Sequence, residues 1–460
     1  MAVHNNSREN GIFIRQKAYN AILRLLNPVI GGRDYPDIHL SELFKKEEFS
    51  SDEKAAITGI VYGVLRHLGR LDYIIGNASN VQVSNIRLDM LNIFRICTYQ
   101  TVFMSASPAG IINNAVALSS REAKLGGFVK RTVEGILRNK DVIYPDRDKN
   151  PVEHISVYHS HPQWIVEKWL REFNDIETVE ALCRVNNLEP PLTIRTNLLR
   201  TERRQLQKLL LDEGYRSTST IFSPFGLIVD RKEGIFRTEA FRGGLFEVQD
   251  EGSQLITLLA GAKPGERVID ACAGNGGKSL FLSGLMKAQG TVIAMDIHAG
   301  KLANLKRRAE RGGASNIRIM MPDGAKLREL TASADCVLID APCSGMGVFR
   351  RNPDAKWRLK EKDIRELAAK QGEIIREYSV LVKPGGRLVY ATCTISREEN
   401  EDIVRAFLEE NEGFYVVPAA EMSPGLFGEF TTGDGFFRAL PHVHGTDGFF
   451  GAVMRRASYD

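Results

Sequence analysis

Val268-Ile-Asp270-Ala-Cys272-Ala-Gly274-Asn-Gly276-Gly277-Lys278-Ser279 is the stretch on which the fold turns. Two β-branched residues lead into an acid, small residues follow, and Ser279–Lys287 then takes up helical spacing. A strand, a glycine turn and a helix in that order open a βαβ unit. The alternation continues. Thr291–Met295 reads as a second strand, 299–311 as a helix, and Ile317–Met321 and Cys336–Ile339 as strands. A helix over 361–381 and a strand over Arg387–Ala391 follow. This predicts an α/β fold, a Rossmann-like doubly wound and mostly parallel sheet with helices on both faces.

Upstream the pattern changes. Leu192–Asn197 and Phe225–Val229 have strand period and Arg203–Glu213 has helical period. With a helix carrying Trp164 and Trp169, they predict a small α+β middle module over 152–245. The first third reads as helices. Ile14, Ala18, Ile22 and Leu25 recur at helical spacing, as do Ile57, Val61, Val64, Leu68 and Leu71, with Ser51-Asp52 as the start of the second run. Stretches near 87–104 and 127–138 complete an all-α bundle over 1–145. The polar, proline-flanked segment Tyr144–Pro151 reads as a linker, and a third domain fills 246–460.

Composition sets outer bounds. At 460 residues, 43% hydrophobic and 26% charged, a mostly disordered chain is excluded. No apolar run reaches the ~20 residues that cross a bilayer. MAVHNNSREN has neither a basic nor an apolar signal region, so the expectation is a cytoplasmic protein with no membrane partner. Six cysteines at 97, 183, 272, 336, 343 and 393 lack paired zinc-type spacing, which predicts free thiols and no metal. His154, His159 and His161 likewise read as packing residues. Residues 1–150 carry 20 Lys/Arg against 15 Asp/Glu, compatible with a polyanionic partner.

Small residues over 270–279 let backbone N–H groups approach a ligand closely. A P-loop would need glycine at 272, where cysteine stands, and G-x-G-x-x-G does not align. An acid ending the first strand, then Gly274 and Gly276, is closer to the S-adenosyl-L-methionine loop of class I methyltransferases. A turn built for packing accounts for one glycine better than for the cluster. Asp296 ends the second strand, where it can accept hydrogen bonds from ribose hydroxyls. Asp323 ends the third, where an adenine amino group would lie.

The fourth strand runs into Asp340-Ala-Pro-Cys343-Ser-Gly345 and the fifth into Tyr390-Ala-Thr-Cys393-Thr394. Ligands bind outside the carboxyl ends of such strands, so both thiols are expected in one cleft. A lone cysteine is usually a small buried hydrophobe, the reading given to Cys97, Cys183 and Cys336. Two at adjacent strand tips suit other chemistry. Thiolate addition to C6 of a pyrimidine makes C5 nucleophilic toward a methyl sulfonium. A free thiol has a pKa of roughly 8.5, so such a site must favour the anion. Asp340 is expected to hydrogen-bond the base edge around N3 and N4. Glu398-Glu399-Asn400-Glu401 is expected to start the next helix and complement its dipole.

On Asp340-Ala-Pro-Cys343-Ser-Gly, Thr392-Cys393, Arg350–Trp357, Glu398-Glu399-Asn400 and Asp447-Gly-Phe-Phe450, the chain resembles the RNA cytosine-5 methyltransferases, in particular their bacterial 16S rRNA branch. Tyr62–Arg66 and Gly135–Arg138 resemble the NusB-like RNA-binding bundle of that branch. Ser160–Trp164 and Leu192–Asn197 resemble its RRM-like module, so the likeness covers nearly the whole chain. The resemblance implies a class I S-adenosylmethionine-dependent methyltransferase domain with Cys393 as the nucleophile that bonds to C6. It implies that Cys343 assists product release. In DNA cytosine methyltransferases the Pro-Cys thiol attacks, so Cys343 alone would mislead, and Thr392-Cys393 sides with the RNA class. Cofactor contacts are implied at Cys272, Ala273, Gly274, Asn275, Gly276, Gly277, Lys278, Asp296, Asp323 and Asp340.

One departure from the family matters. Its loop reads Cys-Ala-Ala-Pro-Gly-Gly-Lys, whereas Asn275 stands at the proline here, removing a φ restraint and adding a backbone donor. The change is expected to bear on cofactor affinity more than on reaction type. The implied partner is small-subunit rRNA or an assembly intermediate, bound by a monomer, with Arg66, Lys130, Arg131 and Arg138 as candidate phosphate contacts. Two other readings stand beside it: a noncatalytic NusB-like RNA-binding factor and a tRNA cytosine-5 methyltransferase. Both thiols, Asp340 and the cofactor acids together weigh against the first.

Overall fold

The computed structural model describes residues 15–458 apart from 33–34, 80–81, 105 and 120–125. MAVHNNSREN and Ile14 lie outside the described residues. The chain separates into two compact units, Met1–Leu188 with Asn352–Arg358, and Glu189–Arg351 with Leu359–Asp460.

The first unit is helical. Gln16–Ile30, Pro36–Lys46, Ser51–Ser79 (bent at His67), Leu88–Phe103, Pro108–Ser119 and Gly126–Arg138 enclose a core that includes Ile22, Leu26, Val61, Val64, Phe94, Val133 and Ile136. The long helix is capped one residue earlier than expected. Ser50 Oγ accepts from Glu53 N at 3.2 Å while Glu53 Oε2 accepts from Ser50 N at 2.9 Å, a reciprocal capping box. The bond from Arg15 to the same carboxylate helps hold it down at about 2.

Pro151–Tyr158, Gln163–Phe173 and Ile176–Asn186 also belong to this unit, so the polar stretch before Pro151 does not mark a boundary between compact units. Polar composition suggested a linker, but side chains anchor it. Arg70 Nε donates to Tyr144 Oη at 2.9 Å, Arg147 Nε donates to Glu180 at 3.0 Å, and Tyr73 stacks on Tyr144. Asn352–Arg358 is held as firmly. Trp357 Nε1 donates to Leu65 O at 2.7 Å, and the buried Lys356 ammonium donates to Arg66 O at 2.9 Å. Burial pushes that ammonium well below its ordinary pKa.

In the second unit β1 (Leu192–Thr196), β2 (Ser217–Ser219), β3 (Gly226–Val229) and β4 (Phe246–Val248) form an antiparallel sheet in the order β2-β3-β1-β4. The larger sheet comprises β5 (Arg267–Asp270), β6 (Thr291–Met295), β7 (Ile317–Met320), β8 (Ala334–Asp340), β9 (Val382–Thr392), β10 (Phe414–Val417), β11 (Phe437–Ala439) and β12 (Phe449–Arg456). Its order is β10-β12-β9-β8-β5-β6-β7, with β11 on β12. β5 to β9 pair in parallel, whereas β10 to β12 make an antiparallel edge.

Helices cover both faces because both faces are apolar. Val268, Leu338 and Val389 enter one core, and Ile269, Ile339 and Leu388 the other. The strand order reverses between β5 and β8, which brings the loops after those two strands side by side. Among the described residues no helix is long and apolar enough to cross a membrane.

Candidate active site

β5 ends at Asp270, a fully buried acid. Ser279 Oγ donates to its Oδ2 at 2.6 Å, while its Oδ1 meets no protein donor. Burial pushes this carboxyl up to about 6. The chain then turns through Gly274 (φ +55°) and Gly276 (φ +83°) into the helix Gly277–Leu285. A Cβ on Gly276 would lie 2.4 Å from Leu305 Cγ, so this turn accepts no side chain. The unpaired N–H groups of the first helical turn belong to the same loop.

Asp296, just beyond β6, holds the loop in place. Its Oδ2 accepts from Gly274 N at 2.9 Å and its Oδ1 from His298 N at 2.8 Å, leaving a second lone pair on each oxygen. Ala273 N donates to Met295 O at 2.8 Å. Lys278 Nζ donates to Asp340 Oδ2 at 2.5 Å, joining the β5 and β8 loops. Burial works against the lysine's charge, but Asp340 outweighs it and its pKa is raised. Cys272 is no thiolate, because burial pushes it up to about 12.

Asn275 is tied down by side chains. Its carbonyl accepts from Arg308 Nη1 at 2.6 Å and its Oδ1 from Asn304 Nδ2 at 3.2 Å, and Glu247 holds Arg308 at 2.9 Å. Asp323 stands apart. Its Oδ1 accepts from Ala325 N and Lys326 N at 3.0 and 2.9 Å, capping the helix Gly324–Glu329. The Lys326 ammonium, 2.8 Å from Oδ2, holds this half-exposed carboxyl below its usual range. None of these bonds ties Asp323 to the other candidates.

The two thiols meet. Cys343 Sγ and Cys393 Sγ are 3.4 Å apart, because β8 and β9 are neighbours and Gly347 N donates to Cys393 O at 3.0 Å. The bond to Cys393, burial and the charge of Glu399 together push Cys343 well above the ordinary thiol range. That keeps Cys343 protonated beside Cys393. Cys97, Cys183 and Cys336 are buried, as core residues should be.

Glu399 corrects an expectation. It does not serve a helix dipole, since the helix begins at Glu401 and Glu399 is fully buried. Its carboxylate accepts from Ser344 N at 2.8 Å, Ser344 Oγ at 2.5 Å, Gln371 Nε2 at 3.0 Å and Thr394 Oγ1 at 3.3 Å. The only sequence signal for it was its place in the Glu398-Glu399-Asn400 motif. Arg350 and Arg351 brace the chain beyond Cys343. Arg350 Nε donates to Asp447 at 2.6 Å, Arg351 Nη2 donates to Asp250 at 2.6 Å, and Arg351 also pairs with Asp447. Among the described residues no group of three or more His, Cys, Asp or Glu is arranged to hold a metal ion.

A doubly wound sheet with an acid-and-glycine loop after β5 and a further acid after β6 defines a class I S-adenosylmethionine-dependent methyltransferase. The buried Asp270 oxygen without a donor and the open space beside Gly274 and Gly277, where an added Cβ would meet nothing within 4 Å, fit such a cofactor. Known proteins agree. Residues 256–455 match the family described as 16S rRNA methyltransferase RsmB/F, 161–235 its ferredoxin-like domain and 16–142 the NusB family. A Bacillus subtilis protein named "Probable ribosomal RNA small subunit methyltransferase B" is 32% identical, covering 96% of this chain and 98% of its own. A mouse "28S rRNA (cytosine-C(5))-methyltransferase" is 33% identical over 66% of this chain and 40% of its own. The solved structure titled "Crystal Structure of PH0851" covers 97% of this chain and 100% of its own at 28% identity, with a TM-score of 0.80. The chain belongs to the RsmB/F family of S-adenosylmethionine-dependent rRNA methyltransferases.

Proposed function

We propose that this chain methylates C5 of a cytosine in small-subunit rRNA through a covalent adduct on Cys393. The observation that carries the reading is the pair of sulfurs 3.4 Å apart at the tips of β8 and β9. The printed names of the relatives point the same way, one to the small subunit and one to cytosine C5. S-adenosylmethionine, when bound, supplies an electrophilic methyl group.

The residues divide the remaining work. Asp296 offers its free lone pairs to ribose hydroxyls, and the loop 272–278 supplies backbone donors. Asp323 is the acid proposed for the adenine edge. Asp340, which Lys278 holds at 2.5 Å, is the acid proposed for the base edge around N3 and N4. The target base leaves its stack, which costs a few kcal/mol. Cys393 Sγ then forms a bond to C6, and the C5–C6 π electrons become available at C5. After methylation the C5 proton departs to a base, its bonding electrons rebuild the double bond, and the C6–S bond breaks. The Cys343 thiol, hydrogen-bonded to the departing sulfur, assists that release.

The helical unit positions the RNA in this reading, with the exposed Lys130, Arg131 and Arg138 and the half-buried Arg66 as phosphate contacts. The protein acts as a cytoplasmic monomer. Covalent trapping tests the assignment. Cys343→Ala should accumulate a denaturant-stable protein–RNA band and Cys393→Ala should give none. The reverse pattern would swap the two roles, and full activity in Cys393→Ala would remove the adduct from the account.

A further inference from the structure

We infer that Glu399 is a positioning residue whose carboxylate clasps the Cys343 loop to the Cys393 loop and so sets the separation of the two sulfurs. The inference rests on the two-cysteine reading above. Glu399 touches neither sulfur directly in this arrangement. It touches what flanks them. Ser344, the residue after Cys343, gives it both backbone N–H and hydroxyl at 2.8 and 2.5 Å. Thr394, the residue after Cys393, gives its hydroxyl at 3.3 Å, and the two hydroxyls are 2.8 Å from each other.

The residues before the cysteines are tied to the same cluster. Gln371 Nε2 donates to Pro342 O at 2.9 Å as well as to Glu399 at 3.0 Å. Asn400, next in sequence to Glu399, accepts from Thr392 Oγ1 at 2.6 Å and donates to Thr394 O at 3.1 Å. Both flanks of both cysteines are therefore bonded into one buried network centred on a single carboxylate. None of the ion pairs among the described residues involves Glu399, so neutral donors alone accommodate it. A helix cap or a surface acid would not collect donors from two separate strand tips.

Replacing the carboxylate frees the two loops to move apart. A misplacement near 1 Å can cost about a hundredfold in rate. Glu399→Ala should lower kcat by about a hundredfold, and Glu399→Gln, which keeps one acceptor oxygen, by about tenfold. The KM for S-adenosylmethionine should stay within about twofold in both, because no bond of Glu399 reaches the 272–278 loop.

Phenylarsine oxide reads the sulfur separation without any methyl transfer. One arsenic bonds both thiolate sulfurs, and its oxide oxygen leaves as water with the two thiol protons. Purified full-length wild type should hold one equivalent against a monothiol competitor, and Cys343→Ala should not. Glu399→Gln and Ser344→Ala should each hold it at least tenfold more weakly. Retention equal to wild type in both variants, or weaker retention with unchanged kcat, would overturn the inference. Failure of wild type itself to hold the arsenical would instead overturn the thiol-pair reading beneath it. Should Glu399→Ala not fold, Glu399→Gln and Ser344→Ala carry the test.

Discussion

Adding one methyl group to Gly276 is the sharpest perturbation of the proposed cofactor loop. At φ +83° an alanine is strained by about 1–2 kcal/mol. Its Cβ would also sit 2.4 Å from Leu305 Cγ, and relieving such an overlap in a packed site costs about 1–3 kcal/mol. Gly276→Ala should therefore lose about 2–5 kcal/mol. Two neighbours calibrate the figure. Gly274 has φ +55° but nothing within 4 Å of an added Cβ, so Gly274→Ala should lose only the ~1–2 kcal/mol of strain. Gly277 is helical with open space around its Cβ, so Gly277→Ala should stay within about 0.5 kcal/mol.

Scanning calorimetry without cofactor should rank the melting temperatures as Gly276→Ala lowest, then Gly274→Ala, then Gly277→Ala level with wild type. A loss of about 3 kcal/mol corresponds to a drop of roughly 10 °C for a unit of this size. Where the loop opens rather than the unit unfolding, the same energy appears as roughly a hundredfold weaker S-adenosylmethionine binding in titration calorimetry. Melting and affinity both unchanged in Gly276→Ala, or Gly277→Ala melting lowest, would refute the reasoning.

Other consequences follow from buried charge. Asp270 is raised to about 6 by burial, while the unfolded chain titrates near 3.9, so the folded protein binds the extra proton between those values. Its contribution to stability therefore rises as pH falls from about 6 to about 4, and Asp270→Asn should lose roughly 2 kcal/mol relative to wild type between pH 7 and pH 4 in urea unfolding. A pH-independent difference would contradict this. Asp447→Ala removes the 2.6 Å partner of the 5% exposed Arg350 side chain, which keeps Asp250 and the Gly445 carbonyl, and should cost about 1.5–3 kcal/mol, with part regained in the Asp447→Ala, Arg350→Met double variant. Urea midpoints of the two proteins check it, and equal midpoints would show that the pair does not couple.

Much of this architecture is legible in the sequence, and the exceptions have physical causes. The β5 loop is legible because small residues between an apolar strand and a helical period have few other uses. The thiol pair is legible because β8 and β9 are adjacent in a doubly wound sheet, which brings Cys343 and Cys393 together. Glu399 was misread because an acidic run after a strand looks like a helix start, and only the tertiary fold shows Ser344 and Gln371 converging on it. The stretch before Pro151 lies between the NusB and ferredoxin-like matches, but composition is blind to the anchoring of Tyr144 by Arg70 and of Arg147 by Glu180. The Asn275 departure removes proline's φ restraint, and only the tertiary fold shows Arg308, more than thirty residues on, holding the Asn275 carbonyl.

The central claim is that paired thiols direct a methyl group to a pyrimidine carbon of rRNA. Small-subunit rRNA lacking the modification, incubated with S-adenosylmethionine and the wild-type protein, should gain one bisulfite-resistant cytosine that the Cys393→Ala protein does not produce. Methyl appearing on another base, or equal resistance with both proteins, would contradict the account.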